Sequence, residues 1–209
     1  MADGLELRDL AIAHRDGRPL VAVSTQVKPG QVVSLMGPSG VGKSTILAAI
    51  TGVLSPSFTC TGDIVLNGRS LMGLAPQKRR VGILFQDHLL FPHMSVGQNV
   101  GFGLPRRTTD RKARVAAALA EIGLAGFADR DPATLSGGQR ARVALMRMLL
   151  AEPETMLLDE PFSRLDAELR ERMRELVFSR ATAAGLPVLM VTHDQADADA
   201  AGGPVIALS

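Results

Sequence analysis

"GPSGVGKST", residues 37–45, decides how the rest of the chain is read. Four residues separate Gly37 from Gly42, and Lys43, Ser44 and Thr45 follow at once. Glycines let a backbone come close to phosphates, and successive N–H groups in such a loop point inward as an anion nest. The candidate phosphate-binding residues are therefore Gly37, Pro38, Ser39, Gly40, Val41, Gly42, Lys43, Ser44 and Thr45. Lys43 offers a charge for the β- and γ-phosphates, and Ser44 a hydroxyl for Mg²⁺. Such a loop needs a strand before it and a helix after it. "QVVSLMG" (31–37) reads as the strand and "STILAAITGVL" (44–54) as the helix, whose positive N-terminal end faces the same anion.

Outward from the loop, three more short apolar runs appear: "VGILF" (81–85), "TMLLD" (155–159) and "PVLMVT" (187–192). They are apolar throughout, as central strands of a parallel sheet covered on both faces would be. "PVIAL" (204–208) offers a last strand. Between about 87 and 150 the pattern turns helical, in "RKARVAAALAEIGL" (111–124) and "GQRARVALMRMLL" (138–150). In the second, Ala141, Leu145, Met148 and Leu149 share one face, with Arg140 and Arg147 off it. Stretches 5–35 and 58–69, with "TGD" and "NGR" as turn signals, read as a small antiparallel layer. The expectation is one α/β domain over 1–209: a nucleotide-binding core of 1–86 and 151–209, and an inserted helical subdomain of about 87–150.

Composition bounds the function. At 46% hydrophobic, 209 residues can bury a sizeable core. With 23 basic against 21 acidic residues the net charge is +2, too balanced to suggest a nucleic-acid partner. The basic cluster of Arg106, Arg107, Arg111, Lys112 and Arg114 reads as a solvated helix face. One cysteine, Cys60, excludes an internal disulfide and reads as a packing residue. No apolar run approaches the ~18 residues that span a bilayer, and "MADGLELRD" is not expected to be a signal peptide.

Two further stretches carry chemistry. "TMLLDEP" (155–161) is an apolar strand ending in Asp159 and Glu160. Ligands bind at the C-terminal ends of strands in open α/β sheets, so Asp159 is placed to hold Mg²⁺ and Glu160 to polarise water. Alone, a strand followed by acids usually marks a solvated strand end; beside a phosphate loop it reads as a nucleotide site. "LSGGQ" (135–139) opens the helix at 138–150. Ser136 reads either as an N-cap before a flexible turn or, with Gly137, Gly138 and Gln139, as a second phosphate cradle. One nucleotide does not need two cradles from one chain, so the second would serve a nucleotide held by another copy.

These stretches together resemble the ATP-binding subunits of ABC transporters. "GPSGVGKST" is similar to the Walker A loop, "MLLDEP" to the Walker B strand and "LSGGQ" to the family signature. Gln86 in "LFQD" resembles the Q-loop, "SRLD" (163–166) the D-loop, and His193 in "VTHD" the switch histidine. The resemblance implies a P-loop NTPase fold with a RecA-like parallel core, and an ATPase that works with ATP and Mg²⁺. It implies a head-to-tail homodimer whose two ATP sites each join one subunit's Lys43 loop to the other's Ser136, Gly137, Gly138 and Gln139. By position, Gln86 would contact Mg²⁺ and water and sense a membrane partner, His193 would bond the γ-phosphate, and Ser163 and Asp166 would link the two sites.

"FQDHLLFPHMSVGQNV" (85–100) resembles bacterial importer ATPases for thiamine, ferric iron, polyamines and sugars, with the thiamine-transport branch nearest in "GILFQD", "DPATLSGGQRARVAL" and "DEPFSRLD". The resemblance implies integral-membrane permease subunits as partners, a periplasmic solute-binding protein, and a peripheral place on the cytoplasmic face of the bacterial inner membrane. Phe91, Pro92 and Met94 are candidates for a permease groove, or for the core of the helical subdomain. The alternative is a soluble ABC ATPase acting in DNA or ribosome transactions. Two positions depart from the family pattern. His14, in "LAIAHRDGRPL", stands where an aromatic residue usually stacks on adenine, and imidazole offers less area than a phenol ring. Arg164 stands where the D-loop often carries a small residue; it either pairs with a charge across the dimer or points to solvent. Only 194–209 follow His193, so control by an added C-terminal domain is not expected.

Overall fold

The computed structural model describes residues 3–87 and 89–209. Its contacts divide the chain into two units. The first runs through Ile83 and takes in Glu154–Glu160 and Glu171–Ser209; the second comprises Leu84–Pro153 and Pro161–Arg170. The stretch 161–170 therefore groups with the helical segment and not with the strand that precedes it.

In chain order the strands are β1 (Leu5–His14), β2 (Pro19–Val27), β3 (Val32–Met36), β4 (Phe58–Leu66), β5 (Arg69–Ser70), β6 (Val81–Leu84), β7 (Thr155–Asp159), β8 (Val188–Val191) and β9 (Val205–Ala207). The helices are α1 (Lys43–Thr51), α2 (Val96–Phe102), α3 (Arg111–Glu121), α4 (Gly137–Leu149), α5 (Ala167–Ala183) and α6 (Gln195–Ala201). One sheet has the order β6-β7-β8-β3-β9, with β3 parallel to both β8 and β9 and β7 parallel to β8. β7 and β8 are buried at every residue, which is why their sequences do not alternate.

The other sheet is antiparallel, in the order β2-β1-β4-β5. "NGR" is a hairpin turn: Asn67 at φ +50° and Gly68 at φ +77° join β4 to β5. "TGD" is not. It lies inside β4, where Gly62 sits at φ +88° opposite a register shift between Arg8 and Ala11. A Cβ there would lie 2.3 Å from the Asp9 carbonyl oxygen, so the glycine serves a bulge and not a chain reversal. Cys60 packs, half-buried, against the core of the first unit, as a packing residue would.

α1 ends at Gly52, whose N–H bonds the Ala48 and Ala49 carbonyls. Its last carbonyls also receive the Arg79 guanidinium, which donates to Ala49 O and Ile50 O at 2.9 Å each while Nε holds Leu74 O at 2.9 Å. A cation at a helix C-terminus complements the macrodipole. Burial pushes the Arg79 pKa below its ordinary value, with Cys60 acting weakly in the opposite sense.

In the second unit, α2 packs on α3 and α4. Two arginines do more than the sequence suggested. Arg111 is exposed, as a solvated face requires, yet it also donates to Gly101 O at 2.5 Å and Pro105 O at 2.9 Å, closing the C-terminal end of α2. Arg147 is drawn inward, donating to Leu89 O at 2.6 Å and Asn99 Oδ1 at 3.3 Å. Its guanidinium lies 4.8 Å from the Phe91 ring centre. Asn99, fully buried, takes the Phe91 N–H at 2.8 Å and donates to the carbonyls of Phe91, Met94 and Ser95 at 3.1–3.2 Å. One amide side chain thus pins residues 91–95, because a buried amide left unpaired costs about 1–3 kcal/mol.

Candidate nucleotide-binding site

β3 delivers the chain into the loop at Gly37, and α1 begins at Lys43. Gly42, the residue before the helix, has φ +100°, and a Cβ on it would meet Val21 Cγ1 at 2.7 Å. Only glycine tolerates both that conformation and that approach of β2. No side chain caps the start of α1, and its first turn holds no acidic residue. Its leading N–H groups are left for an exogenous anion, and the macrodipole favours one.

Lys43 is 8% exposed, and its ammonium group donates to Gly37 O at 2.6 Å and Pro38 O at 2.9 Å. The loop's own carbonyls hold the charge over the loop. Ser39 and Gly40 are exposed, and the Ser44 hydroxyl lies beside the Asp159 carboxylate and favours its charge. Asp159 ends β7 at 9% exposure. Burial pushes its carboxyl above the usual aspartate range; Ser44 opposes that shift, the neighbouring Glu160 charge adds to it, and Lys43 opposes it. Among the described residues no group of three or more His, Cys, Asp or Glu is arranged to hold a metal. One carboxylate beside one hydroxyl is nonetheless the hard-oxygen pair suited to Mg²⁺, which keeps waters and shares phosphate oxygens.

Glu160 lies just past β7 at φ +47°, a left-handed conformation uncommon for a non-glycine residue. Its N–H bonds Val191 O at 2.9 Å, which ties it to the end of β8. The turn brings Glu160 Oε1 to 3.1 Å from His193 Nδ1. The Glu160 side chain is 20% exposed and that of His193 is 66% exposed, so the imidazole reaches out over a sheltered carboxylate. The first unit thus gathers Lys43, Ser44, Asp159, Glu160 and His193.

The segment carrying His193 is anchored from below by residues that sequence reading did not single out. Thr192 Oγ1 donates to Asp197 Oδ2 at 3.1 Å and accepts from the Asp194 N–H at 3.0 Å. Arg174 of α5 bonds Asp197 Oδ1 through Nε at 2.7 Å and also through its terminal nitrogen. Asp194 caps α6, accepting from the Ala196 N–H at 2.8 Å.

His14 ends β1 and is paired in register with Phe58 of β4; the two ring centres are 5.1 Å apart. The imidazole is thus half of a two-ring surface, and Phe58 is a member that the sequence reading omitted. Gln86, Phe91, Pro92, Met94 and the 136–139 stretch belong to the second unit. Ser136 caps α4 in a capping box: its Oγ accepts from the Gln139 N–H at 3.2 Å, and Gln139 Oε1 accepts from the Ser136 N–H at 2.9 Å. Ser136 is exposed, and capping uses its acceptor side only. The first turn of α4 also lacks an acidic residue. Arg164 answers its open question by pairing with Asp87 in the same unit, at 2.5 Å.

The chain matches the family model "ABC transporter" over residues 20–163. It is 48% identical over 196 residues to the uncharacterized ABC transporter ATP-binding protein YnjD of Escherichia coli, covering 93% of this chain and 90% of that one. It is 47% identical to the thiamine import ATP-binding protein ThiQ of Vibrio parahaemolyticus, covering 88% and 78%. It is similar in structure to the dimeric post-hydrolysis ATP-binding cassette MJ0796 bound to ADP and Pi, with a TM-score of 0.84 at 29% identity over 98% of this chain and 94% of that one. The chain belongs to the ABC transporter family, as an ATP-binding cassette. It is an ATPase, and the P-loop fold expected from residues 37–45 is the fold it has. No helix among the described residues is long and apolar enough to cross a membrane.

Proposed function

We propose that this cassette hydrolyses ATP with Mg²⁺ to energise solute import through a membrane permease, from the cytoplasmic face of the inner membrane, as a head-to-tail homodimer. The names of the thiamine, ferric-iron and spermidine/putrescine import relatives support the import reading, and a dimeric cassette neighbour supports the assembly. A periplasmic solute-binding protein would deliver the solute.

The geometry supports the following roles. The 37–45 loop and Lys43 bind the phosphates. Ser44 and Asp159 would hold Mg²⁺, which supplies charge neutralisation on the phosphate oxygens. Glu160 takes a proton from water; positioned general bases contribute about 10²–10⁴-fold. His193, held against Glu160, donates to the γ-phosphate side of the site and keeps the carboxylate oriented. The His14–Phe58 surface receives the base. The observation that carries the dimer is that α4 opens with uncommitted N–H groups and the Ser136 hydroxyl, while α1 already supplies a complete cradle. Ser136, Gly137, Gly138 and Gln139 then close over the other copy's ATP.

Glu160→Gln keeps the size of the side chain and removes the base. It should bind ATP, hydrolyse it at least about 100-fold more slowly, and accumulate as a dimer in size-exclusion chromatography with Mg²⁺ and ATP. Wild-type turnover in this variant would remove Glu160 from the mechanism, and a monomer at saturating ATP would remove the shared site.

A further inference from the structure

The buried pair beneath His193 is more than packing. His193 lies in a three-residue link, 192–194, between β8 and α6. Thr192 is 1% exposed and Asp197 is 3% exposed. The Thr192 N–H is bonded to Leu35 O of β3 at 3.2 Å, and its hydroxyl to Asp197. The residue on the other side, Asp194, is tied to the same hydroxyl through its N–H. One neighbour of His193, Asp194, therefore hangs on the other, Thr192, and Thr192 hangs on Asp197. Asp197 is in turn gripped by Arg174, whose side chain is 15% exposed and lies 3.9 Å from Asp194 as well. A charge-assisted bond at a nearly dry position is strong and directional, whereas the imidazole it supports is exposed and has no comparable packing of its own.

We propose that Arg174 and Asp197 are positioning residues for ATP hydrolysis: through Thr192 they hold the 192–194 link so that His193 meets Glu160 at hydrogen-bond distance. This rests on the reading of His193 and Glu160 as the hydrolytic pair. Misplacing a reacting group by about 1 Å costs on the order of 100-fold. Asp197→Asn keeps volume but loses the charge that Arg174 grips. Thr192→Val keeps the shape and the Arg174–Asp197 pair but cuts the link, and so separates positioning from the folding cost of a broken buried ion pair.

Both variants should lower kcat about 10- to 100-fold with the KM for ATP changed less than about threefold. In a His193→Ala background the same substitutions should cause almost no further loss, because they act through the missing ring. The chain has four histidines, so the ring-nitrogen signals of His193 are assignable by substitution. They should shift in Asp197→Asn and Thr192→Val while those of His14 and His93 stay in place. Full additivity with His193→Ala, or unmoved His193 signals alongside a fall in kcat, would overturn the proposal. Wild-type turnover in His193→Ala would instead sink the hydrolytic pair itself, and that result is read without either positioning variant.

Discussion

The two helix starts proposed to face phosphate are built differently. α1 starts at a buried lysine whose ammonium group is held by its own loop, beside a buried aspartate whose charge Ser44 favours. α4 starts at an exposed serine held by a capping box, with no acidic residue in its first turn and Arg140 bonded to Leu135 O just before it. The first arrangement is finished before any ligand arrives, since its charges are already desolvated and oriented. The second offers donors to solvent and gains nothing until something is pressed against it. On the proposed reading, a cassette with one finished cradle and one presented cradle should bind nucleotide alone and hydrolyse it in company.

The largest way to break that contrast is to treat the two starts alike. Lys43→Ala should abolish measurable ATP binding by the isolated subunit, because the phosphates lose their central cation while the apolar core around α1 stays intact. Ser136→Glu should leave ATP binding by the monomer within about twofold, since no bond of the α1 cradle involves it, and should abolish dimerisation by like-charge repulsion against phosphate. Titration with a fluorescent ATP analogue and chromatography on both variants check this. Equal loss of binding in the two would mean that the α4 start belongs to the same chain's site.

The contrast also sets what was legible. The 37–45 loop and the Asp159–Glu160 pair announce themselves because their chemistry is packed into adjacent residues. β7 and β8 were legible because burial on both faces leaves an unbroken apolar run. α5 was missed: "AELRERMRELVFSRATA" buries only Met173, Val177 and Ala181, a stripe too thin to stand out among its charges. Arg174–Asp197, Arg79 and Asn99 were missed for another reason. Each is a polar side chain satisfied by a partner from a different element, and no local pattern distinguishes it from a surface residue. "TGD" and "NGR" carry the same turn signal, and only the bulge opposite Asp9 tells the first from the second. Arg164 shows the limit from the other side, because its motif position left a partner across the dimer and plain solvent equally open, while a carboxylate in its own unit holds it.

A smaller effect sharpens the description of the finished cradle. Asp159 has its pKa raised by burial. A carboxyl raised on folding contributes stability that is complete below the ordinary aspartate range and is lost as pH rises through the folded value. Thermal unfolding of the ligand-free protein should therefore show Asp159→Asn gaining on the wild type as pH rises towards neutrality. Mg²⁺ binding has the opposite sign, since the cation needs the ionised carboxylate: its affinity should fall, on acidification, at a higher pH than an ordinary aspartate would give. Parallel stability curves for the two proteins would mean that Asp159 is not desolvated.

The smallest expected effect falls on the pair Arg164–Asp87. Both side chains are well exposed, at 46% and 77%. Exposed ion pairs contribute about 0–1 kcal/mol, and for a chain of this size about 1 kcal/mol moves the melting temperature by ~2–4 °C. Arg164→Ala should thus shift the melt by no more than that. Its effect on hydrolysis decides between the two readings of the D-loop. An arginine reaching a phosphate or carboxylate across the dimer would help neutralise charge in the transition state, and its loss would cost 100-fold or more, on the order seen for such donors. An arginine held by Asp87 in its own unit has no charge to offer across the interface, so turnover should fall less than about threefold, close to the scale of a surface pair. Asp87→Ala separates the two further. It frees Arg164, and if the arginine then found a partner across the interface, the dimer of Glu160→Gln would tighten. Unchanged dimer affinity in the double variant, with a large loss of turnover in Arg164→Ala alone, would contradict the assignment of Arg164 to its own unit.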